Sequence, residues 1–324
     1  MRRLSGLENL PTDLPRPVVT VGTFDGVHVG HQRVLSTLVS SAREPDGAAV
    51  VVTFAQPPRQ VLTGETFPLI TSLPHRLLLL ERAGVEVCVV LAFTRALAKT
   101  SALAFTRRVL AEGLGARGVV VGPGAGFGRN QEGDEAFLRA HAGEFGFEVR
   151  GVGRLLVDGE PVSSTRIRDA VADGDFDLTA KLLGRPFSVF GTVVPGEGRG
   201  REIGFPTANL DLHHEMMPPD GVYVAEAVLD ERELPALVSV GCRPTFAGGA
   251  EAPGASVVEI YLMDFEGSLY GRDMEARFLT KLRAQERFDD VNALVLRLRD
   301  DVLRARAYLS SRPGSARKNR AENP

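Results

Sequence analysis

Val18-Val19-Thr20-Val21-Gly22-Thr23-Phe24-Asp25-Gly26-Val27-His28-Val29-Gly30-His31 opens with a β-branched run, passes through a turn punctuated by glycine, and enters a segment of helical period. Valine and threonine at successive positions favour an extended strand. Gly22 and Gly26 interrupt it, and apolar residues then recur at three- and four-residue spacing through residues 31–42. The same alternation repeats downstream, with strands expected at 48–54, 85–91, 119–121 and 148–152 and helices at 72–83, 102–113 and 134–145. Short β-branched runs separated by helices are the pattern of a parallel sheet covered on both faces. Residues 1–184 are therefore expected to form a doubly wound α/β domain. In such a sheet the quoted turn falls at the carboxyl end of the first strand, where open α/β folds bind their ligands.

The turn's chemistry suits a phosphate. Its glycines let the backbone approach an anion, and the helix behind it presents unpaired N–H groups and the positive end of its dipole. His28 and His31, three residues apart, can share one face and donate to the same phosphoryl oxygens. That arrangement fits attack of one phosphate on the α-phosphorus of another, with no nucleophile from the protein. Taken alone, the residues fit equally an ordinary glycine-rich turn with one capping and one solvated histidine. Far downstream, Ser163-Ser164-Thr165-Arg166-Ile167-Arg168 brings hydroxyls and guanidinium groups to a helix start. It reads either as a polyphosphate clamp or as an N-cap followed by solvated arginines.

After about residue 180 the pattern changes. Strands are expected at 187–194, 221–229, 237–240 and 257–265, broken by Gly, Pro and Asp with no helix between them, as in a small antiparallel barrel. A closing amphipathic helix is expected at 289–309, with Val291, Leu294, Leu298, Val302 and Leu309 on its apolar face. This second domain is assigned to residues 185–311, and the Ser-, Gly- and Arg-containing segment 312–324 is expected to be a disordered tail. Within it, Gly196, Gly198, Gly200 and Gly204 make a loop able to fold around an anion, although the order G-x-x-x-x-G-K-S/T of a P-loop is missing. Thr207 and Asn209 follow with two neutral oxygens suited to Mg²⁺ beside phosphates. A glycine-rich hairpin loop with local Thr and Asn hydrogen bonds is the plainer reading.

A chain of 324 residues with 44% hydrophobic and 24% charged residues has material for two cores. Its net charge of -3 offers no basic surface for nucleic acid or an anionic membrane, so small molecules are the expected partners. Cys88 lies in an apolar run and Cys242 is the only other cysteine, which points to a disulfide-free cytoplasmic protein. No apolar run approaches the ~18 residues of a membrane span.

The strings themselves resemble known signatures. H-x-G-H at His28 to His31 resembles that of the nucleotidyltransferases, and G-x-F-D-G-x-H-x-G-H resembles the first motif of bacterial bifunctional riboflavin kinase/FAD synthetases. Ser163-Ser164-Thr165 with Arg168 is similar to that family's second nucleotide motif, and Gly204-Phe205-Pro206-Thr207-Ala208-Asn209-Leu210 to the riboflavin kinase signature. Gly221-Val222-Tyr223, Ser239-Val240-Gly241, Pro244-Thr245-Phe246, Val258-Glu259, Leu262-Met263-Asp264-Phe265 and Leu269-Tyr270-Gly271 follow in the family's order, so the resemblance covers residues 18–309.

The resemblance implies ATP- and Mg²⁺-dependent phosphorylation of riboflavin to FMN in the C-terminal domain and adenylylation of FMN to FAD in the N-terminal one. It assigns Glu259 as general base on the ribityl hydroxyl and His28 and His31 as catalytic groups of adenylyl transfer. Gly22, Phe24, Asp25, Gly30, Ser164, Thr165 and Arg168 would bind the nucleotide of that half, and Gly196, Gly198, Arg199 and Gly200 the ATP of the kinase. Gly221, Tyr223 and Glu259 would contact the flavin, and Thr207 and Asn209 the metal.

Four residues depart from the pattern. Pro57 stands where F-x-P-H-P has its histidine, Gly124 and Ala125 replace the polar residue and an aromatic of G-x-D/N-F-x-F-G, and Arg243 replaces an Asn before Pro-Thr. Pro57, Gly124 and Ala125 imply a weakened adenylyl transfer, or a kinase alone carrying a degenerate nucleotide-binding domain. A regulator that binds flavin or nucleotide without turnover is the remaining reading, and intact Thr207, Asn209 and Glu259 argue against it.

Overall fold

The computed structural model describes residues 1–43, 46–196, 198–213, 216–242 and 256–312, with the side chains of Arg199, Cys242 and Ser256 left out. Arg243, the Pro244-Thr245-Phe246 landmark and residues 313–324 lie outside the described residues. Two compact units are present: Met1–Arg166 with Leu182–Gly184, and Ile167–Lys181 with the chain from Arg185 onward.

In the first unit, six parallel strands among the described residues form one sheet: β1 (Arg2–Ser5), β2 (Val18–Val21), β3 (Ala49–Phe54), β4 (Val87–Leu91), β5 (Gly118–Val121) and β6 (Glu148–Gly151). Their spatial order is β1-β4-β3-β2-β5-β6. From β2 the chain steps outward through β3 and β4 and then returns to the other side for β5, so the carboxyl end of β2 borders the switch point where such sheets bind ligands. Helices α1 (Val29–Arg43), α2 (Pro58–Thr63), α3 (Leu73–Arg82), α4 (Arg95–Ala98), α5 (Ala102–Phe105) and α6 (Glu135–Phe145) connect the strands. Val51 and Cys88 pack with Leu35 and Leu38 of α1 and Leu80 of α3, whereas Val50, Val52 and Val89 pack with Phe105 and Leu138 of the other layer. Burial on both faces is why these strands read as unbroken valine runs.

Two differences from expectation have physical causes. The expected helix 102–113 gives way after Phe105 to a π-helical turn, Thr106–Ala111. β1 is an added edge strand whose Arg2 and Arg3 pair with Asp13 and Glu81, and charge is what an exposed edge favours.

The hairpin β7 (Leu156–Val157) and β8 (Glu160–Pro161) leads to α7 (Ser164–Asp173) and α8 (Phe176–Leu183). In the second unit, β9 (Ser188–Val194), β10 (Thr207–Leu212), β11 (Gly221–Leu229), β12 (Arg232–Cys242), β13 (Ser256–Leu262) and β14 (Asp273–Arg283) close an antiparallel barrel in the order β10-β13-β12-β11-β14-β9. One helical turn, α9 (Arg199–Glu202), interrupts the glycine loop, and α10 (Val291–Ser311) ends the described chain. Phe176 meets Tyr223 edge-on at 5.5 Å and stacks on Phe278 at 6.3 Å, which ties α8 to the barrel core.

The expected apolar face of α10 is present at Val302 and Leu309, which pack against the barrel core, and at Leu294 and Leu298 in a cavity wall, but not at its first residue. Val291 is 58% exposed, and the buried positions of the helix are Asp301 and Ala305. Asp301 is accommodated because Arg283 of β14 donates to both its oxygens, at 3.1 and 2.9 Å. Among the described residues no helix is long and apolar enough to cross a membrane.

Candidate active sites

The turn after β2 is held in an unusual backbone conformation. Phe24 and Val27 have φ of 51° and 40°, left-handed values that non-glycine residues rarely adopt and that cluster at functional sites. What over-determines the turn is a buried hydrogen-bond set. The Asp25 carboxylate accepts from Thr71 N–H at 3.1 Å and from its hydroxyl at 3.4 Å, and Thr71 Oγ1 accepts from Gly26 N–H at 2.9 Å. Asp25, 3% exposed, thus orders the turn from behind.

His28 accepts the backbone N–H of His31 on Nδ1 at 3.2 Å, so its proton resides on Nε2 and the ring serves as the N-cap of α1. The two imidazoles stack with centroids 3.6 Å apart, and Phe24 meets His31 edge-on at 5.2 Å. Burial, then the neighbouring His28, then the Arg76 guanidinium push His31 well below the ordinary imidazole range. Its buried Nδ1 has no partner among the described residues. The pair is therefore a preorganised stack of imidazoles in which His31 is held toward its neutral form.

Ser164 is brought to the same turn, its hydroxyl donating to the Asp25 carbonyl at 3.1 Å. Thr165 lies exposed on the first turn of α7, and Arg168 follows one turn after Ser164. Arg166 is used structurally, donating to the Val157 carbonyl at 2.9 Å and pairing with Glu160 at 3.2 Å to hold the β7–β8 hairpin.

At the first departure, Pro57 is the buried N-cap of α2 and Pro58 begins the helix, so neither position offers an N–H. Arg59 is engaged elsewhere, paired with Glu65 at 3.0 Å and lying over the Phe67 ring, while Gln56 is exposed. At the second, Gly124 has φ 69° with open space around a Cβ, and Ala125 N–H closes a turn on the Gly122 carbonyl at 3.2 Å.

In the barrel unit a cavity of about 980 Å³ opens beneath the glycine loop. Register places Glu259 of β13 directly opposite Asn209 of β10 on one side and Ser239 of β12 on the other. Thr207, two residues before Asn209, also lines the cavity. The loop is built close to these groups: a Cβ on Gly196 would fall on the Asn209 amide, and one on Gly200 would meet the Phe205 carbonyl and, at 3.2 Å, the Thr207 hydroxyl. Gly198 and Gly204 take φ of 76° and 82°. Val222, Leu237, Phe288, Leu294 and Leu298 supply an apolar wall. The neutral oxygens of Thr207 and Asn209 fit a cation that takes most of its ligands from phosphates and water, as Mg²⁺ does.

Not every expected flavin contact borders this cavity. Tyr223 is fully buried, in edge contact with Phe278 at 5.2 Å and with its hydroxyl donating to the Pro219 carbonyl, and burial with nearby Asp220 pushes it up to about 12. Neither it nor Gly221 is among the lining residues, whereas Asp220 and Arg283, which sequence reasoning missed, are. Both lie at the start of strand β11, Asp220 immediately before it and Arg283 paired with Val222, and alternation in the sequence carries no mark of that.

Residues 10–166 match the family described as FAD synthetase, and residues 183–309 the family described as riboflavin kinase. The chain is 39% identical over 308 residues to the bifunctional riboflavin kinase/FMN adenylyltransferase of Pseudomonas fluorescens, covering 95% of this chain and 97% of the relative. It is 34% identical over 312 residues to the protein so described from Escherichia coli strain K12, covering 95% and 98%. Among solved structures, a Streptococcus pneumoniae protein described as a macrolide-efflux protein aligns with a TM-score of 0.79 at 31% identity, over 94% of this chain and 99% of that one.

Proposed function

Since the chain belongs to the bifunctional riboflavin kinase/FMN adenylyltransferase family, we propose that its barrel unit phosphorylates riboflavin at the cavity under the glycine loop and its sheet unit adenylylates FMN at the histidine turn. A kinase alone, or a regulator without turnover, is not favoured, because the family matches run through both halves.

For the kinase step, the supporting observation is the cross-strand pairing of Glu259 with Asn209 in the cavity wall. Glu259 takes the proton of the ribityl 5′-hydroxyl as that oxygen bonds to the γ-phosphorus of ATP, and ADP leaves. Thr207 and Asn209 would hold Mg²⁺, which when bound neutralises charge on the phosphates. The backbone of the loop at Gly196, Gly198, Arg199 and Gly200 cradles the ATP phosphates. The apolar wall receives the isoalloxazine rings.

For adenylyl transfer, the FMN phosphate attacks the α-phosphorus of ATP and pyrophosphate leaves. His28 and His31 donate to the phosphoryl oxygens where charge develops. Ser164, Thr165 and Arg168 hold the triphosphate, while Gly22, Phe24 and Gly30 shape the backbone that approaches it. A cytoplasmic setting is supported by the reaction's need for ATP.

Incubation of the pure protein with riboflavin, ATP and Mg²⁺, followed by separation of the flavins, tests the whole reading. FMN and FAD should both accumulate, and Glu259→Gln should stop FMN formation from riboflavin while FAD formation from supplied FMN continues. A Glu259→Gln variant that turns over riboflavin like the parent refutes the base.

A further inference from the structure

Arg76 of α3 is absent from every motif discussed above, yet it is one of the largest fully buried side chains among the described residues. Its guanidinium donates from Nη1 to the Thr23 carbonyl at 2.6 Å and from Nη2 to the Phe54 carbonyl at 2.9 Å. Thr23 belongs to the histidine turn after β2, and Phe54 ends β3 immediately before the segment that carries Pro57. These carbonyls lie at the carboxyl ends of two neighbouring strands. Thr53 Oγ1 adds a bond to the same Thr23 carbonyl at 3.2 Å. From five residues earlier, Thr71 grips the other side of the turn through Asp25 and Gly26.

For stability alone this is a poor arrangement. A charge is removed from water with the buried Asp25 carboxylate as its electrostatic offset, and Nε is buried with no partner among the described residues. What the guanidinium does supply is geometry. A planar fork with two parallel N–H groups fixes the spacing of two acceptors in a way that a flexible ammonium cannot.

We propose that Arg76 is a positioning residue for adenylyl transfer: its fork sets the separation between the histidine turn and the Phe54–Pro58 segment, the two walls of the triphosphate site. The proposal rests on the reading that adenylyl transfer takes place at His31. The charged groups acting on that ring are His28 on the same turn and Arg76 from α3, and Arg76 in turn feels the Asp25 carboxylate, which is bonded to Thr71. With burial, the Arg76 charge helps to keep His31 neutral until the triphosphate arrives, so the residue acts on the site through spacing and through field.

Arg76→Met and Arg76→Lys test it in the full-length chain. Arg76→Met removes fork and charge, and displacement of either wall by about 1 Å should lower kcat for FAD formation roughly 10²-fold. The His31 titration, followed by NMR of histidine-labelled protein, should move up toward the ordinary imidazole range. Arg76→Lys keeps the charge without the fork, so the titration should stay low while kcat remains well below the parent. Riboflavin phosphorylation by the barrel unit should be unchanged in both, which identifies intact protein.

A folded Arg76→Met with parental kcat and parental His31 titration overturns the proposal. So does an equal loss in both variants with the His31 titration unmoved in each, because that is a packing role only. Should Arg76→Met not fold, Arg76→Lys decides: reduced kcat with low titration supports the proposal, and parental kcat overturns it. If the parent chain itself makes no FAD, the functional reading fails instead, and the His31 titration in Arg76→Met still reports whether the guanidinium acts on that ring.

Discussion

Gly196→Ala isolates the way the kinase loop holds its phosphate-binding groups. Gly196 lies on the exposed loop after β9, so an added methyl group there disturbs no core packing. Its Cβ would nonetheless fall far inside the 3.0 Å that real Cβ atoms keep, with the Asn209 amide as the atom in the way. The amide is the end of a flexible side chain, so it is the part that yields, by on the order of 1 Å. A shift of that size in a group that positions metal and phosphate costs roughly 10²-fold in rate, or about 2.7 kcal/mol of transition-state stabilisation. Thermal stability should change by no more than ~0.5 kcal/mol, as for surface substitutions generally. FMN formation from riboflavin and ATP, followed by flavin separation at saturating riboflavin, gives the rate, and FAD formation from supplied FMN serves as the unaffected internal comparison. If the loss passes through Asn209, Gly196→Ala should add almost nothing to Asn209→Ala, because effects through a shared group are not additive. Parental kinase turnover in Gly196→Ala, or full additivity with Asn209→Ala, would refute the reasoning.

Glu259→Gln should lower FMN formation on the order of 10²- to 10⁴-fold with riboflavin affinity nearly unchanged, measured by flavin fluorescence titration. Adenylyl transfer should be the slower activity, and Pro57→His combined with Gly124→Asn should raise it; Gly124 has φ 69° and open space at Cβ, which asparagine tolerates. Asp301→Ala should destabilise the barrel unit by about 3 to 5 kcal/mol in urea unfolding, since it strands the buried Arg283 charge. A barrel fragment starting at residue 167 should be more stable than one starting at 185, because only the first keeps Phe176 against Tyr223 and Phe278; equal melting temperatures would argue otherwise. The depressed His31 should make the sheet unit less stable in acid: as pH falls below about 6.5 the unfolded imidazole takes a proton that the folded one refuses, so stability is full above that value and declines beneath it.

The central strands were legible because burial on both faces demands uninterrupted valine, and β2 appears at the expected bounds, Val18–Val21. The strands that escaped sequence reading break that rule for identifiable reasons. β1 is an edge strand whose arginines make it resemble a loop. In β10 the alternation is present, with Ala208 and Leu210 buried, but Asn209, which lines the cavity with Thr207, is not a typical strand former. Across β14, Met274, Glu275 and Ala276 are buried in succession, because Glu275 accepts from Ser188 at 2.8 Å and is matched by Arg277, so the period of two is lost.

The same logic separates what could be read of the sites from what could not. His28, His31 and Thr207 sit in short strings whose residue types are compatible with phosphate chemistry, whereas the role of Glu259 follows only from the family resemblance. Arg76 bonds to two backbone carbonyls, and a carbonyl leaves no trace in the identity of the residue that owns it. Nothing in the sequence marks Asp301 as buried, because its partner Arg283 belongs to another element and only barrel closure brings the two together. Tyr223 shows the converse: a landmark by string, it is placed by the fold among Phe176 and Phe278, away from the cavity wall. A residue type becomes informative in sequence when its side chain meets a ligand or another side chain nearby. When the partner is backbone, or arrives through strand register as Asn209 meets Glu259, the chemistry is set by the fold and emerges only with it.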